Sequence, residues 1–92
     1  MTKLDYMTLG FHVRTKFMGP TNHRGSRVKA TTVTGKSVTL DWDHALNSGD
    51  NHAAAFAAIC MKTGRVVTGP VYVNGGFDDG YVFMAPTRDI EG

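Results

Sequence analysis

Cysteine is nearly absent from this sequence. The 92 residues include one cysteine, Cys60, so no disulfide can form within the chain. A reactive thiol needs a histidine and an electropositive, partly exposed setting, and the sequence neighbours Ile59 and Met61 supply neither. Because free cysteine is among the most buried residue types, we expect Cys60 to act as a small hydrophobic residue of the core.

Long hydrophobic runs are also missing. No apolar stretch approaches the roughly 18 residues that a helix needs to cross a bilayer, and residues 1–6 lack the apolar segment of a secretory signal. The length is enough for one domain and too short for two. We therefore expect one soluble, cytoplasmic domain over residues 1–92, with 1–9 and 87–92 less ordered.

Acidic residues do not occur between positions 6 and 40. Residues 1–36 contain seven lysines and arginines against one acid, a net charge of +6, whereas residues 37–92 contain three against seven, a net charge of −4. Together they give the overall +2. The domain is therefore bipolar, and its basic half favours contact with phosphates or with an acidic surface.

No catalytic or metal-binding arrangement is recognisable. The histidine spacings match no set of paired metal ligands, and no Gly-x-Ser-x-Gly nucleophile turn is present. The glycine-rich stretch 73–80 lacks the following helix and the lysine of a phosphate-binding loop, and Asp78 and Asp79 would not converge as an acid and a base. We expect no enzymatic activity, no cofactor and no metal. Surface or loop positions are expected for His12, His23, His44 and His52.

The first half of the chain has the period-two alternation of half-buried strands. Strands are predicted over residues 11–17, 26–33 and 36–42, and these should form an antiparallel meander. A long turn with a Gly-Pro pair separates the first two, and Thr34-Gly35 separates the others. The inward side chains are expected to be Phe11, Val13, Thr15, Phe17, Val28, Ala30, Val38, Leu40 and Trp42.

Residues 52–62 are predicted to form a helix because they are rich in alanine, the strongest helix former. We expect Asp50 to be the N-cap, since its carboxylate accepts an unpaired amide and favours the positive end of the helix dipole. Gly64 suits the C′ position. The expected apolar stripe consists of Ala53, Phe56, Ile59 and Cys60.

Two further strand regions follow the helix. Residues 65–73 are interrupted by Gly69-Pro70, which predicts an edge strand, a bulge or two separate strands. Residues 74–80 are predicted to be a hairpin turn and 81–85 a last strand. The expected fold is α+β, an antiparallel sheet of about five strands (β-β-β-α-β-β) with the alanine-rich helix packed on one face and the other face open to solvent. Core positions are preferred, over base-stacking ones at the rim of the sheet, for Tyr72, Phe77 and Tyr81.

The outward face of the first hairpin is the strongest functional candidate. Basic side chains spaced about 7 Å apart along a strand can follow a phosphate backbone or an acidic protein surface. The alternative is a solvated face whose charges prevent aggregation, but the absence of acids from residues 6–40 argues against a neutralised face. The predicted partner- or nucleic-acid-binding residues are Arg14, Lys16, His23, Arg24, Arg27 and Lys29, with His12 beside them.

Residues 15–30 read Thr-Lys-Phe-Met-Gly-Pro-Thr-Asn-His-Arg-Gly-Ser-Arg-Val-Lys-Ala. This string resembles one in small orphan proteins encoded by bacteriophages and plasmids. In those proteins it is often followed by a short strand, an alanine-rich helix with an early histidine, a glycine-rich turn and an aromatic strand. The likeness runs over most of residues 11–85, and the specific part is the string itself. The chain departs from the pattern at residues 61–64, where an aromatic-rich helix end is expected.

The resemblance implies a non-enzymatic protein of a mobile genetic element. Length and phage-like character are also similar to those of anti-CRISPR proteins, which inhibit bacterial CRISPR effectors. The implied function is inhibition of a host defence ribonucleoprotein, such as a CRISPR effector with guide RNA, through the basic hairpin in the host cytoplasm. The basic hairpin suits contact either with guide RNA or with an acidic protein patch, and contact to a membrane is not expected. Two alternatives stay open: a general nucleic-acid-binding or regulatory phage module, and an interaction domain that dimerises through an edge strand.

Overall fold

Seven strands and one helix make up residues 11–77 and 80–89, the part of the chain that the computed structural model describes. Residues 1–9 and 90–92, for which less order is predicted, lie outside it. In chain order the elements are β1 (Phe11–Met18), β2 (Arg27–Thr32), β3 (Ser37–Asp41), α1 (Ser48–Lys62), β4 (Arg65–Val67), β5 (Tyr72–Phe77), β6 (Gly80–Ala85) and β7 (Thr87–Asp89).

The main sheet is antiparallel, with the strand order β3-β2-β1-β6-β5. β1, β2 and β3 form the predicted meander, and β6 pairs with the other edge of β1, so that β1 lies at the centre. α1 packs on one face of this sheet, chiefly against β2, β3 and β1, and also contacts β4. The predicted α+β fold, a five-stranded antiparallel sheet with one helix, is confirmed. The described residues contain no helix long and apolar enough to span a bilayer.

The Gly69-Pro70 break separates two strands that belong to different sheets. β5 joins the main sheet beside β6, whereas β4 pairs with β7 in a small second sheet. Of the three predicted alternatives (an edge strand, a bulge or two separate strands), the structure therefore shows two separate strands. Thr87–Asp89, within the segment for which less order is predicted, forms β7, whose backbone pairs with β4, a strand distant in sequence.

The glycine-rich stretch predicted as a turn is largely strand. β5 runs through to Phe77 with an irregularity between Gly75 and Phe77, and only residues 78–79, which lie outside the described part, separate it from β6. Two glycines are needed for close approach. A Cβ at Gly75 would lie 2.6 Å from the Tyr81 ring, and one at Gly80 would collide with the Thr15 carbonyl oxygen.

α1 begins at Ser48, four residues before the predicted start, and Asn47 rather than Asp50 is its N-cap. The Asn47 side-chain oxygen accepts the Asp50 amide at 2.7 Å. Asp50 lies in the first turn, where its negative charge still complements the helix dipole. At the other end Gly64 has φ of 71° directly after the cap residue Thr63, as predicted.

The core lies between α1 and the main sheet. Phe56, Ile59 and Cys60 are buried as predicted, but Ala53 is exposed and Ala55 is buried instead. The prediction was therefore wrong at one position of the stripe, Ala53. The buried side of α1 includes positions 52, 55, 56, 59 and 60. The buried hydrophobic residues are Val13, Val28, Ala30, Ala55, Phe56, Ile59, Cys60, Phe83 and Ala85.

Candidate nucleic-acid interface

Every second residue of the main sheet points away from α1. In β1, Val13 and Thr15 are buried, and the alternating Arg14 and Lys16 are exposed. In β2, Val28, Ala30 and Thr32 are buried on the helix side. We call the opposite side the outer face. By strand register it consists of His12, Arg14, Lys16, Met18, Arg27, Lys29, Thr31, Ser37, Thr39, Asp41, Tyr72, Asn74, Gly80, Val82 and Met84.

Four cations of the outer face form a diagonal stripe, which we call the basic stripe (Arg14, Lys16, Lys29 and Arg27). Lys16 lies directly opposite Lys29, Arg14 lies one row away on β1, and Arg27 lies one row away in the other direction on β2. Alternate residues of a strand are about 7 Å apart, so the basic stripe extends over about 14 Å. The strands therefore bring together four of the six predicted binding residues.

The remaining two predicted residues, His23 and Arg24, lie in the exposed loop between β1 and β2. The loop is held by Thr21, whose hydroxyl accepts the amides of His23 and Arg24 at 3.2 and 3.0 Å, and whose amide donates to the Arg24 carbonyl at 2.7 Å. The loop joins the Arg27 end of the basic stripe. His12, which is half-buried, lies beyond Arg14 at the other end.

The charges of the basic stripe are not neutralised by the described residues. Like charges directly opposite each other on neighbouring strands destabilise a sheet, and Lys16 and Lys29 are such a pair. Within residues 11–77 and 80–89 no carboxylate forms an ion pair with a cation of the basic stripe, although Asp41 lies opposite Arg27 in register. The like-charged pair Lys16 and Lys29 therefore concentrates positive charge at the middle of the basic stripe.

Arg27 and Lys29 are the two half-buried cations of the basic stripe. The Arg27 Nε is in addition enclosed, with no hydrogen-bond partner among the described residues. A buried polar atom without a partner costs about 1–3 kcal/mol. Arg14 and Lys16 are exposed, so they are the better positions for changes meant to affect binding alone.

Apolar and aromatic side chains continue the outer face beyond the basic stripe. Val82 lies opposite Arg14, Met84 lies opposite His12, and Tyr72 lies opposite Met84 on the edge strand β5. Tyr72 is 57% exposed, so the preference for a core position was wrong for it. Because side chains alternate along β5, Tyr72 lies on the outer face, on the side of the sheet opposite α1. Tyr81 is half-buried against the core, as preferred, and the Phe77 side chain lies outside the description.

His52 is a buried residue that sequence reasoning missed. It is 1% exposed, between the rings of Trp42 and Tyr81, and its Nδ1 shares a hydrogen bond of 2.7 Å with the Thr15 hydroxyl. The expected surface position was wrong because residue 52 lies on the face of α1 that packs against the main sheet. The signal was available, since His52 stands three residues before Ala55 and four before Phe56.

Metal-ligating side chains do not converge in the part of the chain that the structure describes: no group of three or more histidine, cysteine or acidic residues occurs there. His23 and His44 are exposed and lie in different loops, while His52 is enclosed by the core. The outer face, with the basic stripe beside apolar groups, is therefore the candidate site.

Comparisons of this chain with protein-family models, with curated proteins and with solved structures find no match. The function is therefore argued from the geometry of the outer face.

Proposed function

We propose that this chain is a non-enzymatic binding protein of a mobile genetic element, and that its outer face docks on the nucleic acid of a host defence ribonucleoprotein. The observation that supports this proposal is the basic stripe, about 14 Å of cations on an open sheet. The resemblance of residues 15–30 supplies the setting. Similarity to anti-CRISPR proteins suggests a CRISPR effector with its guide RNA as the partner.

An extended phosphate backbone can follow the basic stripe along β1 and β2. Each phosphate that a lysine or arginine neutralises releases bound counterions, so affinity should fall with salt at a log–log slope of about −0.7 per contact for a single strand. Three or four contacts predict a slope of about −2 to −3. The exposed acids Asp43 and Asp50 flank the start of α1 and disfavour a strand on the helix side.

A second candidate is a general nucleic-acid-binding or regulatory module. Tyr72, Val82 and Met84 favour it, because cationic grooves with neighbouring aromatic groups are typical of proteins that bind single strands without a protein partner. Both candidates use the outer face. In the first the partner contributes protein contacts as well as nucleic acid, and in the second it contributes nucleic acid alone.

Charge reversal tests the surface. The double variant Arg14→Glu, Lys16→Glu should lose most of its affinity for labelled single-stranded RNA and DNA, and its salt slope should become shallower by about 0.7 per lost contact. The control Lys36→Glu, Lys62→Glu has the same net charge, with the changes placed at the β2–β3 turn and the end of α1, and should retain binding. Thermal unfolding of the Arg14, Lys16 variant should show no loss of stability, because Lys16→Glu replaces a repulsive cross-strand pair with Lys29 by an attractive one.

A guide-loaded CRISPR effector tests the partner. The guide-loaded effector should bind this chain more tightly than the free guide RNA does. Its affinity should also depend less on salt, because protein contacts add apolar burial that salt does not screen. Equal, salt-steep binding to any single strand would favour the second candidate. Binding that survives charge reversal in both assays would contradict both candidates.

A further inference from the structure

A groove of about 300 Å³ opens on the outer face where the basic stripe meets apolar residues. Its lining includes His12 and Arg14 of β1, Thr31 of β2, Val82 of β6, and Val33 in the turn after β2. Small-molecule sites range from about 300 to 1,000 Å³, so this volume is at the lower limit and suits one planar group with its polar attachment.

The wall of the groove that carries Val33 is held in place by hydrogen bonds. The Thr32 hydroxyl accepts the Lys36 amide at 3.1 Å, and the Thr32 carbonyl accepts the Gly35 amide at 3.0 Å. Gly35 has φ of 94°, which suits this tight turn. Val33 is 84% exposed, so its apolar side chain borders the groove without being part of the core.

Tyr72 offers a second apolar surface close to the groove. Across the strands it follows His12 and Met84 in one row, two strand spacings or about 10 Å from His12. β5 is the last strand in the described order of the main sheet, and the Tyr72 side chain is 57% exposed. An exposed tyrosine on a sheet face is a stacking platform for bases that are not held in a duplex.

From this geometry we propose that the groove takes one nucleobase of a single strand and that Tyr72 stacks on another base of the same strand, while the basic stripe holds the phosphates. This inference rests on the proposed function and specifies its ligand: single-stranded nucleic acid, bound through bases as well as phosphates. An acidic protein surface would need the cations alone and would leave the groove and Tyr72 unused. A duplex would present phosphates but no free base faces.

Base contacts are tested with a labelled single strand of about ten nucleotides and a matched strand of the same length that lacks bases, both at low salt. Wild type should bind the base-containing strand at least roughly 5- to 160-fold more tightly, the range that stacking of one base supplies. The variant His12→Ala, Tyr72→Leu should lose this difference and should bind the strand without bases as wild type does. Val73→Ala is the control, since Val73 is 53% exposed on the same strand but has the opposite parity. It should bind both strands like wild type.

Three results would overturn the inference. The first is that His12→Ala, Tyr72→Leu binds the base-containing strand as tightly as wild type, while Arg14→Glu, Lys16→Glu abolishes binding. Charge alone would then support the proposed function. The second is a free mononucleotide that competes as well as the strand, which would assign the groove to a small molecule. The third is no measurable binding of wild type to the strand at low salt. Failure of the Arg14, Lys16 variant to weaken binding to the assembled effector would instead count against the proposed function itself.

Discussion

Two neighbouring polar side chains, both almost fully buried, anchor the start of α1. The Asn51 oxygen accepts the Asp43 amide at 2.8 Å, and its nitrogen donates to the Asp43 and Asn47 carbonyls at 3.0 and 3.1 Å. His52 is joined to Thr15 of β1. Because a buried group that loses its partner costs about 1–3 kcal/mol, these bonds hold the first turn of α1 to the loop after β3 and to the central strand.

Cys60 provides a pH-dependent test of the core. Burial raises the pKa of the Cys60 thiol, and the positive charge of Arg65 opposes this shift in part. Between the ordinary pKa of 9.0 and the raised one, the thiol is ionised in the unfolded chain and protonated in the folded one. The free energy of unfolding should therefore fall as pH rises through this interval, and the loss should be absent below it.

Urea unfolding at a series of neutral and alkaline pH values measures this effect. The stability of wild type minus that of Cys60→Ala should be constant near neutral pH and decrease in the alkaline range, since other titrating groups are common to both proteins. A difference that stays constant at every pH would mean that the thiol is accessible to solvent.

At the scale of elements, α1 approaches the sheet through small side chains. Ala55 of the helix and Ala30 and Ala85 of the strands are each 0% exposed. Ala55→Leu adds carbon atoms to a closed contact and should destabilise the protein by about 1–3 kcal/mol. Ala53→Leu makes the same chemical change on the exposed side of α1 and should stay within about 0.5 kcal/mol of wild type.

Denaturant unfolding of the two leucine variants compares the two sides of α1 directly. The larger loss at position 55 is expected from the stripe that includes His52, Ala55 and Phe56. A larger loss of stability at position 53 would mean that Ala53 faces the core, as predicted from the sequence. It would contradict the buried position of His52.

At the scale of the whole molecule, the cations of the basic stripe favour binding of phosphates but lower the stability of the fold, because they repel one another. Lys16 and Lys29 face each other across β1 and β2. Lys29→Glu would replace a repulsive cross-strand pair with an attractive one and should raise the free energy of unfolding by about 0.2–1 kcal/mol. The same change removes a phosphate contact, so affinity for single strands should fall.

Thermal unfolding and strand binding of Lys29→Glu are measured together, with Lys36→Glu in the β2–β3 turn as the control of equal charge. The control should change neither property strongly, because Lys36 has no cation opposite it in the register of the sheet. A Lys29 variant that is less stable than wild type would show that the lysine pair is not repulsive in the folded protein.

Local patterns in the sequence determined which side chains of the first hairpin face each way. The parity of a strand is set by neighbouring residues, so the alternation in residues 11–17 and 26–33 placed Val13, Val28 and Ala30 inward and the basic residues outward. The C′ role of Gly64 is equally local, because it depends on the conformation of one residue after a helix.

Tertiary structure alone decided what adjoins the basic stripe. The pairing of β6 with β1 joins residues that are far apart in the chain, and it places Val82 and Met84 beside Arg14 and His12. The pairing of β5 with β6 then brings Tyr72 onto the same face. The β7 strand depends in the same way on a distant partner, since its backbone groups are satisfied only by what the rest of the chain brings to them.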